Sequence, residues 1–197
     1  MTSVRHNTPF VILASASPRR KQLLREMGVK FRAIASDVDE APPAHLSPRG
    51  VALRLAWLKA RAVARQFPDV VVIGADTIVV LDGKLYEKPR DLADAARMLG
   101  ELQGKTHRVI TGVCVLHLGE KRKALFAETT KVTFKAMSVA EIREYLRLIH
   151  PLDKAGAYAA QEYTERIIER TEGSFSNVVG LPTEKLAKVL KKLGALD

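Results

Sequence analysis

The sequence predicts an α/β fold, a mixed β-sheet flanked by helices. Strand-like apolar runs are interspersed with amphipathic segments of helical period. A strong hairpin turn, Asp82-Gly83, joins two of the strand-like runs, so at least one strand pair is expected to be antiparallel. The chain has 197 residues, of which 47% are hydrophobic, and this is enough for a real core. We therefore expect residues 1–197 to form a single domain, either one unit or two interlocked lobes.

The individual elements follow from apolar periodicity and local start and stop signals. A serine or aspartate precedes most helical segments, because its side chain caps the first free N–H groups. Helices are expected to begin at Ser17, Ser47, Asp91, Ser138 and Thr183. Strands are expected at Phe10–Ser15, Phe31–Ala35, Val70–Leu81, Lys84–Lys88, Thr106–Leu118, Ala124–Phe134, Arg166–Arg170 and Phe175–Val179.

The composition of the chain indicates which kinds of molecule the protein is expected to bind. The net charge of +10 favours anionic partners, although a solvated basic surface explains it equally well. The basic residues are dispersed and are not interleaved with aromatic residues, which argues against nucleic acid. No apolar run reaches the ~18 residues that span a bilayer, so no membrane partner is expected. Cys114 is the only cysteine and fits an inert core thiol, so we expect a reducing, cytoplasmic compartment.

The segment from Ser15 to Arg20 is the first candidate site, because a strand ends there and a helix begins. Free N–H groups at a helix start and the helix dipole both favour an anion. The adjacent Arg19 and Arg20 add forked donors that match phosphate oxygens. The same residues also fit an ordinary helix cap with two arginines facing solvent.

Asp76 is the second candidate, since it lies between two apolar strand runs. A buried carboxylate is costly unless it is paired or binds a metal. It suits Mg²⁺ or Mn²⁺, and it also suits a residue that orients or deprotonates water. The structural alternative is an aspartate that caps a helix or pairs with an arginine. Gly74 and Ala75 leave room beside it for a ligand or another chain segment.

Lys88 is expected near Asp76, because a two-residue turn at Asp82-Gly83 places Thr77 opposite Lys88. A regular ladder would put the side chains of Lys88 and Asp76 on opposite faces. They converge only if the strand bulges or frays before Pro89. The alternative is a surface lysine at a strand edge.

Three further segments have weaker signals. The acidic loop from Asp37 to Glu40 fits either metal binding or simple solvation, and solvation is favoured. Lys59, taken alone, fits a lysine on a helix face that reaches water. The small residues of segment 153–161 permit close approach of a ligand, and Gln161 is able to read a base edge, but the segment also fits tight packing.

Taken together, these segments resemble the Maf family of nucleotide pyrophosphatases. Each motif is weak alone, but their combination is specific because it follows the family order over nearly the whole chain. The matching motifs are LASASPRRKQLL at 13–24, SDVDE at 36–40, the stretch Leu55–Ala60 that ends in Lys59-Ala60, GADTIVV at 74–80, EKPRD at 87–91, GKTHRVITGV at 104–113, DKAGAYAAQ at 153–161, and GS with NVVGLP at 173–182.

The resemblance implies a twisted mixed sheet, two lobes around a deep cleft and a relation to inosine-triphosphate pyrophosphatases. It implies hydrolysis of a nucleoside triphosphate, dTTP or UTP, to the monophosphate and pyrophosphate with a divalent cation, Mg²⁺ or Mn²⁺, and suggests a homodimer. Asp76 would be the proton acceptor and a metal ligand, with Glu40 near the metal. The triphosphate would be held by Ser15, Arg19, Arg20, Lys59 and Lys88. Base choice would involve Arg19, Thr77 and Gln161.

Two rival functions stay open at this point. One is a pyrophosphatase for modified nucleotides such as 7-methyl-GTP or pseudouridine triphosphate. The other is a regulatory or nucleic-acid-binding protein of cell division, because the family resembles septum-formation inhibitors. Steeply salt-dependent DNA binding without triphosphatase activity would favour the second.

Overall fold

The computed structural model describes residues 10–39 and 45–196, and there a seven-stranded mixed sheet is flanked by helices. This confirms the fold class predicted from the sequence. The strands are β1 Val11–Leu13, β2 Phe31–Ala33, β3 Val71–Leu81, β4 Lys84–Tyr86, β5 Thr106–His117, β6 Arg122–Phe134 and β7 Ile168–Glu172. The helices are α1 Pro18–Glu26, α2 Pro48–Ala64, α3 Leu92–Leu102, α4 Val139–Leu148, α5 Thr164–Ile167, α6 Phe175–Val179 and α7 Thr183–Lys192.

The sheet has the order β2-β1-β3-β5-β6-β7, and β4 also pairs with β3. Strand β1 pairs in parallel with both β2 and β3, whereas β3, β5, β6 and β7 pair antiparallel in succession, and β4 pairs antiparallel with β3. The main hydrophobic core contains side chains from most of these strands together with α1, α3, α4 and α7. In the described part of the chain, no helix is long and apolar enough to cross a membrane.

Strand β3 is paired unequally along its two edges, and this creates a gap in the sheet. One edge pairs with β5 from Val72 to Val80. The other edge pairs with β1 only at residues 71–73 and with β4 only at residues 79–81. Among the described residues, the segment 74–78 therefore has no strand partner on that edge, and Asp76 lies at its centre.

Helix α2 lies directly on the sheet because two glycines permit close approach. A Cβ at Gly74 of β3 would meet the backbone of Ala56 and Ala60, and a Cβ at Gly112 of β5 would meet the backbone of Ala52. The space that the sequence suggested beside Asp76 is thus filled, at Gly74, by another segment of the chain. This contact sets the depth at which α2 presents its side chains to β3.

Most predicted helix starts are confirmed by their caps. The side chains of Ser17, Ser47 and Asp91 each accept a hydrogen bond from the backbone N–H three residues later. Ser138 and Glu141 form the expected capping box. These signals are local, since a cap and its partner are three residues apart.

The predicted strand at Phe175–Val179 is wrong, because this segment is helix α6. The β-branched Val178 and Val179 favour a strand locally, but the Ser174 side chain caps the Asn177 N–H and Gly180 ends the helix at φ 124°. The predicted strand Arg166–Arg170 is also divided. Its first two residues belong to the single turn α5, and only the rest joins β7.

Candidate functional site

A cleft of about 620 Å³ opens at the gap in the sheet. Its walls come from the end of β1 and the start of α1, from the unpaired edge of β3, from the segment after β4, and from segment 153–160. The volume lies within the roughly 300–1,000 Å³ that is usual for small-molecule sites. The cleft therefore has the size and the position of a ligand site.

Asp76 and Lys59 form a buried ion pair at the centre of the cleft wall. Lys59 Nζ donates to Asp76 Oδ1 at 2.7 Å, and the two side chains are 9% and 10% exposed. Lys59 is thus not the solvent-reaching helix lysine that its local sequence suggested, because the close approach of α2 at Gly74 carries it onto the sheet. Among the described residues, no hydrogen bond occupies Asp76 Oδ2.

Arg20, at the start of α1, also lines the cleft and is held from several directions. Its Nε donates to the Gly180 carbonyl at 2.9 Å, its Nη2 to Thr77 Oγ1 at 3.0 Å, and its Nη1 to Ser15 Oγ at 3.3 Å. Ser15 Oγ also accepts from the Ser17 N–H at 3.2 Å. Because Ser15 Oγ is the acceptor in both of these hydrogen bonds, its own hydrogen is available to donate to a ligand.

Arg19 spans the cleft and contacts the segment on its far side. Its Nη1 lies 3.4 Å from Asp153 Oδ2, and its Nη2 donates to the Asp153 carbonyl at 3.2 Å. The neighbouring Lys154 is 5% exposed and donates to Asp153 Oδ1 at 2.7 Å. Burial opposes ionisation of Asp153, but the bond from Lys154 and the charge of Arg19 hold its pKa below the ordinary value.

Lys88 reaches the cleft because β4 ends early. The β4 ladder stops at Tyr86, opposite Val79, so the register no longer constrains Lys88. Lys88 and its neighbour Glu87 then both line the cleft with Asp76. Of the two possibilities that the sequence left open, the structure shows strand fraying before Pro89.

Two predicted site residues are not placed in this cleft. Gln161 is exposed and lines a separate groove of about 330 Å³ between the end of α1 and α6, with Leu23, Met27 and Phe175 among its neighbours. Glu40 lies outside the described residues. The remaining predicted residues all line the cleft: Ser15, Arg19, Arg20, Lys59, Asp76, Thr77 and Lys88.

Sequence reasoning assigned no role to several polar residues of the cleft. Glu87, Asp153 and Lys154 line it, and Thr111 touches Thr77 from behind its wall. The motifs that contain Glu87, Asp153 and Lys154 were recognised, but spacing alone does not reveal which side chains face a common cavity. Thr111 lies in the recognised motif at 104–113, but nothing in that motif shows that this threonine packs behind the cleft.

The charge of the cleft is complementary to a polyanion. Among the described residues, its lining contains five cationic side chains, Arg19, Arg20, Lys59, Lys88 and Lys154, and three carboxylates, Asp76, Glu87 and Asp153. The N-terminus of α1 adds its dipole and its free N–H groups at the same place. The site is therefore suited to an anion with several charged oxygens, such as a chain of phosphates.

The described carboxylates of the cleft suit a divalent cation that is also bound by a phosphate ligand. The described residues contain no cluster of three or more Asp, Glu, His or Cys side chains that could hold a metal by themselves. Mg²⁺, however, is commonly bound by one or two carboxylates plus substrate phosphates. Asp76, with Oδ2 not hydrogen-bonded within the described residues, and Glu87 supply carboxylate oxygens of this kind.

Comparison with known proteins finds relatives that match over nearly the whole chain. The chain is 47% identical over 184 residues to the dTTP/UTP pyrophosphatase of Pelotomaculum thermopropionicum, covering 93% of this chain and 96% of that protein. It is 47% identical over 186 residues to the dTTP/UTP pyrophosphatase of Koribacter versatilis, covering 94% and 95%.

A solved structure of a HAM1 protein from Coxiella burnetii superposes with a TM-score of 0.52, covering 93% of this chain and 99% of that one. At 14% identity this likeness concerns the fold alone. The family model described as Maf-like protein matches residues 10–193, which is nearly the whole chain. Together with the cleft residues described above, these matches establish that the chain belongs to the Maf-like protein family.

Proposed function

We propose that this protein is a nucleoside triphosphate pyrophosphatase that converts dTTP and UTP to the monophosphate and pyrophosphate. The observation that carries the proposal is the Lys59–Asp76 pair at the unpaired edge of β3, inside a cleft whose described lining has more cations than carboxylates. The two bacterial relatives are named dTTP/UTP pyrophosphatases, which supports the same substrates.

In the proposed reaction, water attacks the α-phosphorus. A bond forms between the water oxygen and this phosphorus, the bond to the bridging oxygen of the β-phosphate breaks, and pyrophosphate leaves. Asp76 accepts a hydrogen bond from the water at Oδ2 and orients it, then takes its proton. Lys59 fixes the other carboxylate oxygen, so Asp76 has one defined orientation.

The phosphates would be held by the start of α1 and the segment after β4. Ser15 contributes its free hydroxyl hydrogen, Arg20 its oriented guanidinium, and Lys88 a positive charge from the far wall. Stabilising charge on the phosphates and the leaving group is the main catalytic task in phosphoryl chemistry.

We further propose a bound Mg²⁺ or Mn²⁺, held by Asp76 and the phosphate oxygens, with Glu87 close by. Such a cation supplies additional charge neutralisation on the phosphates. Base choice is assigned to Arg19, Thr77 and Gln161. Because Gln161 lies in the adjoining groove beside α1, we propose that the base extends from the cleft toward this groove.

A panel of triphosphates tests the proposal. Pyrophosphate and orthophosphate release are measured for dTTP, UTP, the other common nucleotides, 7-methyl-GTP and pseudouridine triphosphate, with Mg²⁺, with Mn²⁺ and with a chelator. We expect pyrophosphate release, fastest for dTTP and UTP and lost with the chelator. In water labelled with oxygen-18, the label should enter the monophosphate. Label in pyrophosphate, or a clear preference for 7-methyl-GTP, would contradict the proposal.

A further inference from the structure

A buried hydrogen-bond chain behind the cleft connects Arg20 to helix α6. Thr111 of β5 is 0% exposed, and its Oγ1 lies 3.0 Å from Thr77 Oγ1 on the neighbouring strand. The same atom donates to the Asn177 carbonyl of α6 at 3.0 Å. Thr77 Oγ1 in turn accepts from Arg20 Nη2. Thr111 therefore connects a cleft-lining threonine to α6 without lining the cleft itself.

The direction of this chain is fixed by the chemistry of its ends. The backbone carbonyl of Asn177 can only accept a hydrogen bond, so Thr111 donates its single hydroxyl hydrogen to it. The contact between the two threonines is then a hydrogen bond only if Thr77 donates. Because the hydrogen of Thr77 points to Thr111, its oxygen presents lone pairs to the Arg20 guanidinium, which can only donate.

Helix α6 is itself fixed to the sheet by the side chain of Asn177, which is 0% exposed. Asn177 Nδ2 donates to the Val109 carbonyl at 3.1 Å and to Thr130 Oγ1 at 3.0 Å. The residue that ends α6, Gly180, provides the carbonyl that accepts from Arg20 Nε. The guanidinium is thus held through Nε by the end of α6 and through Nη2 by the threonine pair.

We propose that Thr111 is a positioning residue for anion binding: its hydroxyl fixes the Thr77 hydroxyl as an acceptor, and this aligns Arg20 for the phosphates. The proposal rests on the proposed function for the identity of the anion, a nucleoside triphosphate. It assigns Thr111 a role through Arg20 and no contact with substrate. Removal of the Thr111 hydroxyl should leave Arg20 in place but less well aligned.

Thr111→Val, Thr111→Ser and Thr130→Val test the proposal through binding and kinetics. Thr130→Val is a matched control, because Thr130 is also buried and bonds to the α6 region through Ser174 O and Asn177 Nδ2, while the bond from Asn177 Nδ2 to the Val109 carbonyl should keep α6 docked in this variant. The first probe is inorganic tripolyphosphate, measured by calorimetry. We expect Thr111→Val to raise its Kd roughly five- to tenfold, the effect of one lost hydrogen bond. Thr111→Ser and Thr130→Val should stay near the wild-type Kd.

With dTTP, Thr111→Val should raise KM by a similar factor and leave kcat nearly unchanged, because alignment of Arg20 acts on bound and reacting phosphates alike. The Arg20→Lys variant lacks the guanidinium that donates to Thr77 Oγ1. In this variant, the additional change Thr111→Val should therefore alter the tripolyphosphate Kd by less than about twofold.

The assignment would be overturned if Thr111→Val kept the wild-type tripolyphosphate Kd, or if Thr130→Val raised this Kd as much as Thr111→Val. It would also be overturned if the effects of Thr111→Val and Arg20→Lys on the Kd were fully additive. If the wild-type protein hydrolyses no triphosphate, the proposed function fails, whereas the tripolyphosphate Kd values still decide the role of Thr111.

Discussion

Lys59 Nζ lies 2.7 Å from Asp76 Oδ1 in a pair that is almost fully removed from solvent. The two residues belong to different elements, α2 and β3, and meet because Gly74 and Gly112 allow the helix to lie on the sheet. The same packing that stabilises the fold therefore orients the carboxylate at the centre of the cleft.

Removal of the lysine should destabilise the protein. In Lys59→Met the Asp76 carboxylate stays buried without its partner, and breaking a buried pair in this way costs about 3 kcal/mol. The free energy of unfolding, measured by denaturant titration at neutral pH, should fall by this amount. Lys84→Met is the control, because the Lys84–Glu101 pair is far more exposed, at 52% and 33%. Equal losses in the two variants would contradict a special role for the buried pair.

Gly74→Ala should damage both stability and activity. Its methyl group would collide with the backbone of α2 at Ala56 and Ala60, and α2 can relieve the collision only by moving Lys59 away from Asp76. We expect a loss of about 2 kcal/mol of unfolding free energy and a fall in pyrophosphate release.

Gly100→Ala serves as the control for that substitution. Gly100 is exposed in α3, and nothing lies within 4 Å of a Cβ built there. Alanine at this helical position should stabilise by about 1 kcal/mol. An active, undisturbed Gly74→Ala protein would show that the close helix–sheet contact does not position Lys59.

His107 should make stability depend on acid pH. The side chain is 1% exposed, and its Nε2 forms a hydrogen bond of 3.0 Å with Tyr158 Oη. Burial lowers the pKa of the imidazole to about 4 from an ordinary 6.5. Above pH 6.5 the imidazole is neutral in both states. Between pH 6.5 and about 4 the unfolded chain binds the proton first, so stability falls as pH falls.

The His107 contribution across this window is on the order of 3 kcal/mol. It is measured as the difference in unfolding free energy between wild type and His107→Gln at pH 7 and pH 4.5, since glutamine does not titrate. The variant should lose less stability than the wild type over this interval. Parallel pH profiles of the two proteins would mean that the histidine does not titrate as its burial indicates.

The local parts of this fold were predictable from the sequence, because their causes lie within a few residues. Ser17, Ser138 and Asp91 cap the helices that they were expected to cap, and Asp82-Gly83 makes the expected turn. The helix at Phe175–Val179 was not predictable in this way. The cap that Ser174 provides and the docking of Asn177 on the sheet outweigh the strand preference of the two valines.

The candidate site was predictable as a set of segments, but its internal pairing was not. Asp76 and the Ser15–Arg20 segment were expected to matter, and both line the cleft. The local sequence of Lys59 indicated a solvent-facing residue, since nothing in α2 shows how close the sheet approaches. The metal, the role of Glu40, the homodimer and the cytoplasmic location stay predictions.

The most direct measurement of the central claim is pyrophosphate release from dTTP with Mg²⁺ by the wild type and by Asp76→Ala. Both proteins are first shown to be folded by circular dichroism. If Asp76 orients and deprotonates the attacking water, the variant should lose at least about a hundredfold in kcat. Equal rates of release by the two folded proteins would contradict the assignment of Asp76 and, with it, the proposed use of the cleft.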